Sequence, residues 1–211
     1  MISVYKKHSL AIRWTHWINF PLLTLMIISG VMIYWANDVY TPFVPETFYE
    51  KMGLSHQLAL GMGIHFFFMW LFLINGLVYA LYLLISGGWR EIVPRLSSFK
   101  DAALVAMYDL GLRKELPPQG KFNGGQKIAY TGVLILGFFQ ILTGLAIYKP
   151  VQLQSLLSLF GDYETARLLH FVVTVLFLMF FIVHIIQVAR SGWNNFRSMI
   201  TGTEVIHEEK K

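Results

Sequence analysis

The stretch that decides the fold is TARLLHFVVTVLFLMFFIVHIIQVAR, residues 165–190, a long apolar run interrupted by few polar side chains. Within it His170 and His184 lie fourteen residues apart, which is about 21 Å along an α-helix. Fourteen steps of about 100° bring the two imidazoles to within roughly 40° of the same direction. A run of this length can cross a bilayer, so each imidazole is expected near one end of a transmembrane span.

Two histidines inside a membrane span call for a chemical explanation, because an ionisable side chain at that depth costs free energy and usually has a partner. A neutral imidazole meets this need by coordinating a metal through one ring nitrogen while the other nitrogen is hydrogen-bonded. The chain contains no cysteine, which excludes iron–sulfur ligation and disulfides within it. We therefore predict that this helix carries one ligand for each of two stacked haems.

The composition is typical of a membrane protein. Of the 211 residues, 55% are hydrophobic and only 14% are charged, whereas ordinary soluble domains are about 25% charged. Four apolar stretches reach the roughly 20 residues that a transmembrane helix needs; they are residues 14–35, 58–86, 128–148 and 166–190. The expected fold is an all-α integral membrane bundle of four transmembrane helices that encloses two haems, in a single domain over residues 1–211.

The distribution of basic residues predicts the orientation in the membrane. Of the 17 Lys and Arg residues, only Lys51, Lys149 and Arg167 fall on the side of the first and third loops. The others fall on the side of both termini and of the 87–126 loop, and such an excess marks the cytoplasmic side. The formal charge of +5 is therefore explained by topology rather than by nucleic acid. We expect a multi-pass protein of the bacterial inner membrane with cytoplasmic N- and C-termini.

Two further histidines match the depths of the pair on the last helix. His65 lies some 20 residues before the cytoplasmic end of the second helix, just as His170 lies 20 residues before Arg190. His16 lies just inside the cytoplasmic boundary of the first helix, at the depth expected for His184. Depth alone therefore predicts His16 with His184 as axial ligands of an inner haem and His65 with His170 as axial ligands of an outer haem.

Other interpretations of the histidines stay open at this point. His16 taken alone is more often an interfacial residue that anchors the start of a helix. His56 lies nine residues before His65, about 180° round the helix, and is an alternative ligand on the second helix. His8 and His207 lie in polar terminal segments and are expected to be solvated.

Polar and small residues within the spans suggest packing roles. Asn75 lies at mid-membrane depth, where its expected role is a hydrogen bond between helices. Ser29 with Gly30 on the first helix, and Thr143 with Gly144 on the third, present small faces. Such faces would allow another helix or a porphyrin to approach closely.

The 87–126 loop contains two features of interest. Apolar residues recur at helical spacing over residues 98–112, which predicts a short helix lying on the membrane surface. Residues 120–127, GKFNGGQK, then directly precede the third span. They can form a turn with a helix cap, or a polar pocket against the inner haem in which Asn123 or Gln126 bonds a carbonyl group. The residue pattern alone leaves both interpretations open.

Several motifs together resemble a known family. GKFNGGQK, a following span with LTG near its end, and LLH with a second histidine fourteen residues later resemble the cytochrome b (gamma) subunit of membrane-bound formate dehydrogenase. The related cytochrome b subunits of thiosulfate reductase, nickel–iron hydrogenase and sulfite-oxidase-like molybdoenzymes are similar. The resemblance covers nearly the whole chain.

The resemblance implies two haem b groups, with the same ligand pairs that depth predicts, and menaquinone or ubiquinone as an exchangeable substrate. It implies a quinone pocket beside the inner haem at the cytoplasmic side, where Asn123 and Gly125 match the family's asparagine and glycine. His184 would line that pocket, and Gln126 is added as a neighbour. The implied partners are a periplasmic catalytic, iron–sulfur or cytochrome subunit and membrane lipid, and a homo-oligomer of the whole complex is compatible with this picture.

The predicted function is that of a membrane anchor that transfers electrons between a periplasmic oxidoreductase of molybdoenzyme or hydrogenase type and the quinone pool. Irons with two histidine ligands have no open position for a substrate, so they carry single electrons, and no substrate-oxidising site is expected in this chain. One alternative is a stand-alone haem b quinol oxidoreductase, similar to small cytochromes b561 that react with superoxide. Another is a haem-free transporter with histidines as proton relays, which the lack of repeat symmetry disfavours.

Overall fold

The computed structural model describes residues 2–36, 45–53, 57–115, 117 and 122–207, and this part of the chain is mostly helical. In chain order its elements are β1 (Ile2–Lys6), α1 (Leu10–Trp35), α2 (Glu46–Lys51), α3 (Leu58–Ser86), α4 (Trp89–Ile92), α5 (Leu96–Asp109), α6 (Gly124–Tyr148), α7 (Gln154–Ser158), α8 (Tyr163–Thr201) and β2 (Thr203–His207). Among these, α1, α3, α6 and α8 are long and apolar enough to cross a membrane. Each contains one of the predicted spans, so the prediction of four candidate transmembrane helices is confirmed.

The surfaces of the long helices suit a lipid environment. Large apolar side chains on them are exposed, among them Phe67 at 63%, Ile74 at 55% and Met179 at 58%. An apolar surface of this extent is unfavourable in water, whereas lipid tails are as apolar as the side chains themselves. The chain forms two compact units, one comprising Met1–Leu81 with Arg197–Lys211 and the other Tyr82–Phe196.

In the first unit, α1 and α3 approach each other closely at a glycine. A Cβ atom on Gly61 would lie 2.9 Å from the Cβ of Met32 and 3.2 Å from the carbonyl oxygen of Ser29. Only a residue without a side chain allows the two backbones to come so near, as is common between helices in membranes. This contact lies one helical turn before His65, and so it sets the position of that histidine against α1.

Asn75 joins the same two helices further along. Its side chain is 9% exposed, and its Nδ2 donates a hydrogen bond to the carbonyl oxygen of Thr15 at 3.0 Å. The same nitrogen lies 3.3 Å from Oδ1 of Asn19. The expected hydrogen bond between helices is confirmed.

Replacing Asn75 with alanine is expected to lower the free energy of unfolding in mixed micelles by roughly 0.5–1.5 kcal/mol, because interhelical hydrogen bonds in membranes contribute about that much. Leu77 lies two residues away on α3 and is 53% exposed, so Leu77→Ala serves as the control and should leave the unfolding midpoint unchanged. Equal midpoints for the two variants would show that the Asn75 bond does not stabilise the α1–α3 contact.

The two ends of the chain pair with each other. Strands β1 and β2 are antiparallel, with Val4 opposite Val205, and Lys7 Nζ lies 3.0 Å from Glu204 Oε2. The prediction of an all-α fold is therefore wrong at the two ends of the chain, which form a two-stranded sheet. The two ends of the chain therefore lie together, and their location in the cytoplasm stays a prediction.

In the second unit, α5 lies directly against the start of α6. A Cβ atom on Gly124 would collide with the carbonyl oxygen of Ser98 and would lie 2.8 Å from the backbone nitrogen of Ala102. Nearby, the hydroxyl of Thr131 donates to the carbonyl oxygen of Ile92 at 2.9 Å. The short helix predicted over residues 98–112 is thus present as α5, and its location on a membrane surface stays a prediction.

Helix α8 has a defined start and an interruption. The carboxylate of Asp162 accepts a hydrogen bond from the backbone N–H of Thr165 at 2.7 Å, and this bond lowers the pKa of the Asp162 carboxyl. Helical geometry breaks at Gly192, where φ is 81°, a left-handed conformation that glycine adopts without steric strain. The apolar span therefore ends before Gly192, and a separate helical segment follows it.

Candidate haem site

His65 is held against α1 by a buried hydroxyl group. Its Nδ1 lies 2.9 Å from Oγ of Ser29, and Ser29 is completely buried. The Ser29 hydroxyl also donates to the carbonyl oxygen of Leu25 at 2.7 Å. A hydroxyl has only one hydrogen. When that hydrogen stays on the helix carbonyl, the hydroxyl accepts from Nδ1, and Nε2 is then the ring nitrogen that can coordinate a metal.

The same arrangement recurs in the second unit. His170 on α8 is 7% exposed, and its Nδ1 lies 3.0 Å from Oγ1 of Thr143 on α6. Thr143 is completely buried, and its hydroxyl donates to the carbonyl oxygen of Phe139 at 2.8 Å. With the hydroxyl hydrogen on that carbonyl, Thr143 accepts from Nδ1, and Nε2 of His170 is then an acceptor.

Gln140 provides a second line of evidence for this tautomer of His170. Its Nε2 lies 3.0 Å from Nε2 of His170 and donates to Oγ1 of Thr174 at 2.9 Å. An amide nitrogen donates, so this contact is a hydrogen bond when Nε2 of His170 is unprotonated. Oε1 of Gln140 is buried with no hydrogen-bond partner among the described residues. Coordination of a metal by Nε2 would require Gln140 to give up this bond.

A glycine lies beside the ring of each of these two histidines. A Cβ atom on Gly30 would lie 3.6 Å from Cε1 of His65, and one on Gly144 would lie 3.1 Å from Cε1 of His170. At both positions the imidazole fills the space that a side chain would take, so glycine allows the ring to lie close to the neighbouring helix. With one ring nitrogen hydrogen-bonded and the other accepting, as metal-ligating histidines typically are, these residues fit an axial role toward haem iron.

The other two predicted ligands lie on α1 and α8 and are partly buried. The ring of His16 lies 5.5 Å from that of Trp17 in an edge-on contact. The ring of His184 stacks on Phe180, with centroids 5.9 Å apart and planes inclined by 11°. Each predicted ligand pair takes one histidine from each compact unit, and the pairing stays a prediction. The alternative ligand, His56, lies outside the described residues.

The predicted quinone residues form a helix cap. The backbone N–H of Gln126 donates to Oδ1 of Asn123 at 2.8 Å, and the backbone N–H of Asn123 donates to Oε1 of Gln126 at 3.0 Å. A Cβ atom on Gly125 would lie 3.4 Å from the same Oδ1. Of the two interpretations left open by the sequence, the cap is therefore present. Because it uses the amide oxygens, it is compatible with a second role for the NH₂ groups as donors.

The hydroxyl partners of the histidines were not among the site residues predicted from the sequence. Ser29 and Thr143 were expected only as small residues that permit close approach. The signal that could have found them is the recurrence of a hydroxyl residue followed by glycine, as Ser29-Gly30 and Thr143-Gly144. Gln140 also lay outside the predicted site.

Four long apolar helices, three of which carry buried or partly buried histidines, are typical of a membrane cytochrome b. The sequence model of the prokaryotic cytochrome b561 family matches residues 7–202, and the chain belongs to that family. It is also 30% identical over 190 residues to an Azospira oryzae protein described as "Putative protein-methionine-sulfoxide reductase subunit YedZ1". The match spans 89% of this chain and 92% of that relative.

The family match confirms the broader predictions: this is a haem-binding transmembrane cytochrome b of electron transport. The number of haems, their ligands and the quinone site remain predictions. So does the narrower resemblance to the subunits of formate dehydrogenase and thiosulfate reductase.

Proposed function

We propose that the chain is the di-haem membrane subunit of an oxidoreductase complex in the bacterial inner membrane. It would transfer electrons between a periplasmic catalytic or electron-transfer subunit and the quinone pool, with both of its own termini in the cytoplasm. The observation that carries this proposal is the contact of His65 and His170 with buried hydroxyl groups, whose oxygens lie 2.9 Å and 3.0 Å from the Nδ1 atoms. The relative described as a reductase subunit supports the existence of a partner.

In this proposal His16 and His184 hold the inner haem, and His65 and His170 hold the outer haem. When bound, each haem supplies a one-electron redox centre. Two imidazoles on each iron would leave no position for oxygen or substrate, and the apolar spans would exclude water from the ligands. The chain therefore conducts electrons and leaves the substrate chemistry to its partner.

The quinone would bind where the cap of α6 meets the cytoplasmic side. Asn123 and Gln126 use their oxygens in the cap, so their NH₂ groups are the donors available to a quinone carbonyl. Gly125, between them, leaves room for the ring. Electrons that reach this site from the periplasmic side would draw the protons for quinone reduction from the cytoplasm.

Asn123→Asp separates the two roles of Asn123. Aspartate caps a helix about as well as asparagine, and its charge is favourable at a helix N-terminus, but it lacks the NH₂ donor. We expect unchanged haem spectra and melting temperature, together with a roughly 3–10-fold higher KM for a water-soluble quinone, the effect of one lost hydrogen bond. Stopped-flow oxidation of the reduced haems by the quinone measures this.

Asn123→Ala is the comparison for the quinone prediction. It removes both the cap and the donor, so it should add a loss of about 1 kcal/mol in helix stability to the same kinetic defect. Wild-type quinone kinetics in Asn123→Asp would place the quinone elsewhere.

A second candidate is favoured by the family itself. The matched family is that of prokaryotic cytochrome b561, and a small cytochrome of this type could oxidise quinol without a partner. Purification in mild detergent decides between the two. A bound catalytic subunit supports the anchor, whereas a lone chain that oxidises quinol supports the stand-alone enzyme. A colourless protein would support the haem-free transporter, which membership of a cytochrome family disfavours.

A further inference from the structure

The two histidines proposed for the outer haem have the same local environment. In each case a hydroxyl group on a neighbouring helix lies within hydrogen-bond distance of Nδ1. Ser29 on α1 meets His65 on α3, and Thr143 on α6 meets His170 on α8. Both hydroxyl residues are completely buried, and each is followed by a glycine. The two contacts lie in different compact units, so the same contact between a hydroxyl and a histidine occurs twice in one chain.

We propose that Ser29 and Thr143 are positioning residues for the two axial ligands of one haem. Each hydroxyl accepts the Nδ1 proton of its histidine, limits rotation of the ring and keeps the Nε2 lone pair available to iron. This inference rests on the proposed ligation of the outer haem by His65 and His170.

The orientation of each hydroxyl is set by its own helix. Ser29 donates to the carbonyl oxygens of Leu25 and Met26 at 2.7 Å and 3.2 Å. Since its only hydrogen is used there, the hydroxyl can offer the imidazole only lone pairs. Thr143 is held in the same way, with donor distances of 2.8 Å and 3.3 Å to carbonyl oxygens of the preceding turn. The helix backbone thus orients the hydroxyl, and the hydroxyl orients the ring.

Such an acceptor affects both binding and redox properties of a ligated iron. Outer-shell partners of metal-ligating histidines raise the basicity of the ligand, and their loss typically weakens metal binding about 10–100-fold. A more basic ligand favours oxidised iron. Removal of the hydroxyl is therefore expected to raise the midpoint potential of the haem that the histidine holds.

A hydroxyl group can also donate to a carbonyl oxygen of its own helix without contacting a histidine. A residue of this kind serves as the control. On α1 the hydroxyl of Thr24 donates to the carbonyl oxygen of Phe20 at 2.8 Å, in the same manner as Ser29 does. If Ser29 only satisfied its own helix, Ser29→Ala and Thr24→Val would have similar effects on the haems.

The experiment compares five variants of the full chain. Ser29→Ala and Thr143→Val remove the acceptors, Ser29→Thr and Thr143→Ser retain them, and Thr24→Val is the control. Haem retention, low-spin EPR g-values and potentiometric titration are measured on each purified protein. If Ser29→Ala does not fold, Ser29→Cys replaces it, because a thiol of similar size is only a weak acceptor.

We expect Ser29→Ala and Thr143→Val to alter the same haem and to leave the other unchanged. For that haem the dissociation constant should rise about 10–100-fold, the g-values should shift, and the equilibrium should move about tenfold toward the reduced form, about 59 mV for one electron. The hydroxyl-retaining variants and Thr24→Val should behave like the wild type.

The two proposals fail in different ways. A wild-type protein without haem overturns the proposed function. A wild-type protein with two haems, whose spectra and potentials are unchanged by both Ser29→Ala and Thr143→Val, overturns only the positioning role. Perturbation of a different haem by each variant overturns the assignment of the two hydroxyls to one haem.

Discussion

Replacing His184 with alanine is expected to remove the inner haem from the purified protein and to leave the outer haem bound. In the proposed pairing His184 and His16 are the two protein ligands of one iron. The loss of His184 leaves that iron with a single protein ligand, and the haem is then bound more weakly. The haem content measured as the pyridine haemochrome should fall from about two to about one per chain. Quinone reactivity should be lost as well, because His184 is proposed to line the quinone pocket.

His170→Ala is the reciprocal variant and should remove the outer haem while the inner one stays. His8, in the polar segment before α1, provides the control, and His8→Ala should retain both haems. Loss of both haems from a folded His184→Ala protein would mean that the histidines do not form separate pairs.

Replacing Gly124 with alanine is expected to destabilise the contact between α5 and α6. The added methyl group would collide with the carbonyl oxygen of Ser98 and lie 2.8 Å from the backbone nitrogen of Ala102. These are backbone atoms, so they cannot move aside as a flexible side chain can. Overpacking of this kind typically costs about 1–3 kcal/mol, and it should appear as a lower melting temperature in detergent. Quinone reactivity should fall with it, since the cap formed by Asn123 directly precedes Gly124.

Gly132→Ala is the matched control for the contact at Gly124. It lies on the same helix, and among the described residues a Cβ atom there would meet no atom within 4 Å outside its own stretch of helix. Alanine in a helix interior is favoured over glycine by roughly 0.5–1 kcal/mol, so this variant should melt at or above the wild-type temperature. Identical melting of the Gly124 and Gly132 variants would contradict the close packing of α5 on α6.

The four long helices could be predicted from composition because lipid imposes a length and an apolar character on every span. The starts of two helices were predicted four residues too late, although local signals were present. Helix α1 begins after Ser9, whose hydroxyl accepts from the N–H of Ile12, and α6 begins after the capping residue Asn123. A cap lies outside the apolar run, so a hydropathy criterion does not include it.

Features that depend on distant residues could not be predicted in the same way. The pairing of β1 with β2 joins the two ends of the chain. The residues of neither short strand indicate which segment it will pair with. The histidines could be named from their depth, because an ionisable residue in a span requires an explanation. The hydroxyl-glycine pattern could have drawn attention to their partners, but the contact of Thr143 with His170 depends on how α6 packs against α8.

The central claim is that four imidazoles of this chain hold two haems, one near each side of the membrane. Anaerobic reductive titration of the purified protein, followed by absorbance in the haem b region and by EPR, tests it most directly. We expect two b-type haems per chain, both low-spin with two axial histidines, and each reduced in a one-electron step. A protein with one haem or none, or with a high-spin iron that binds an external ligand, would contradict it.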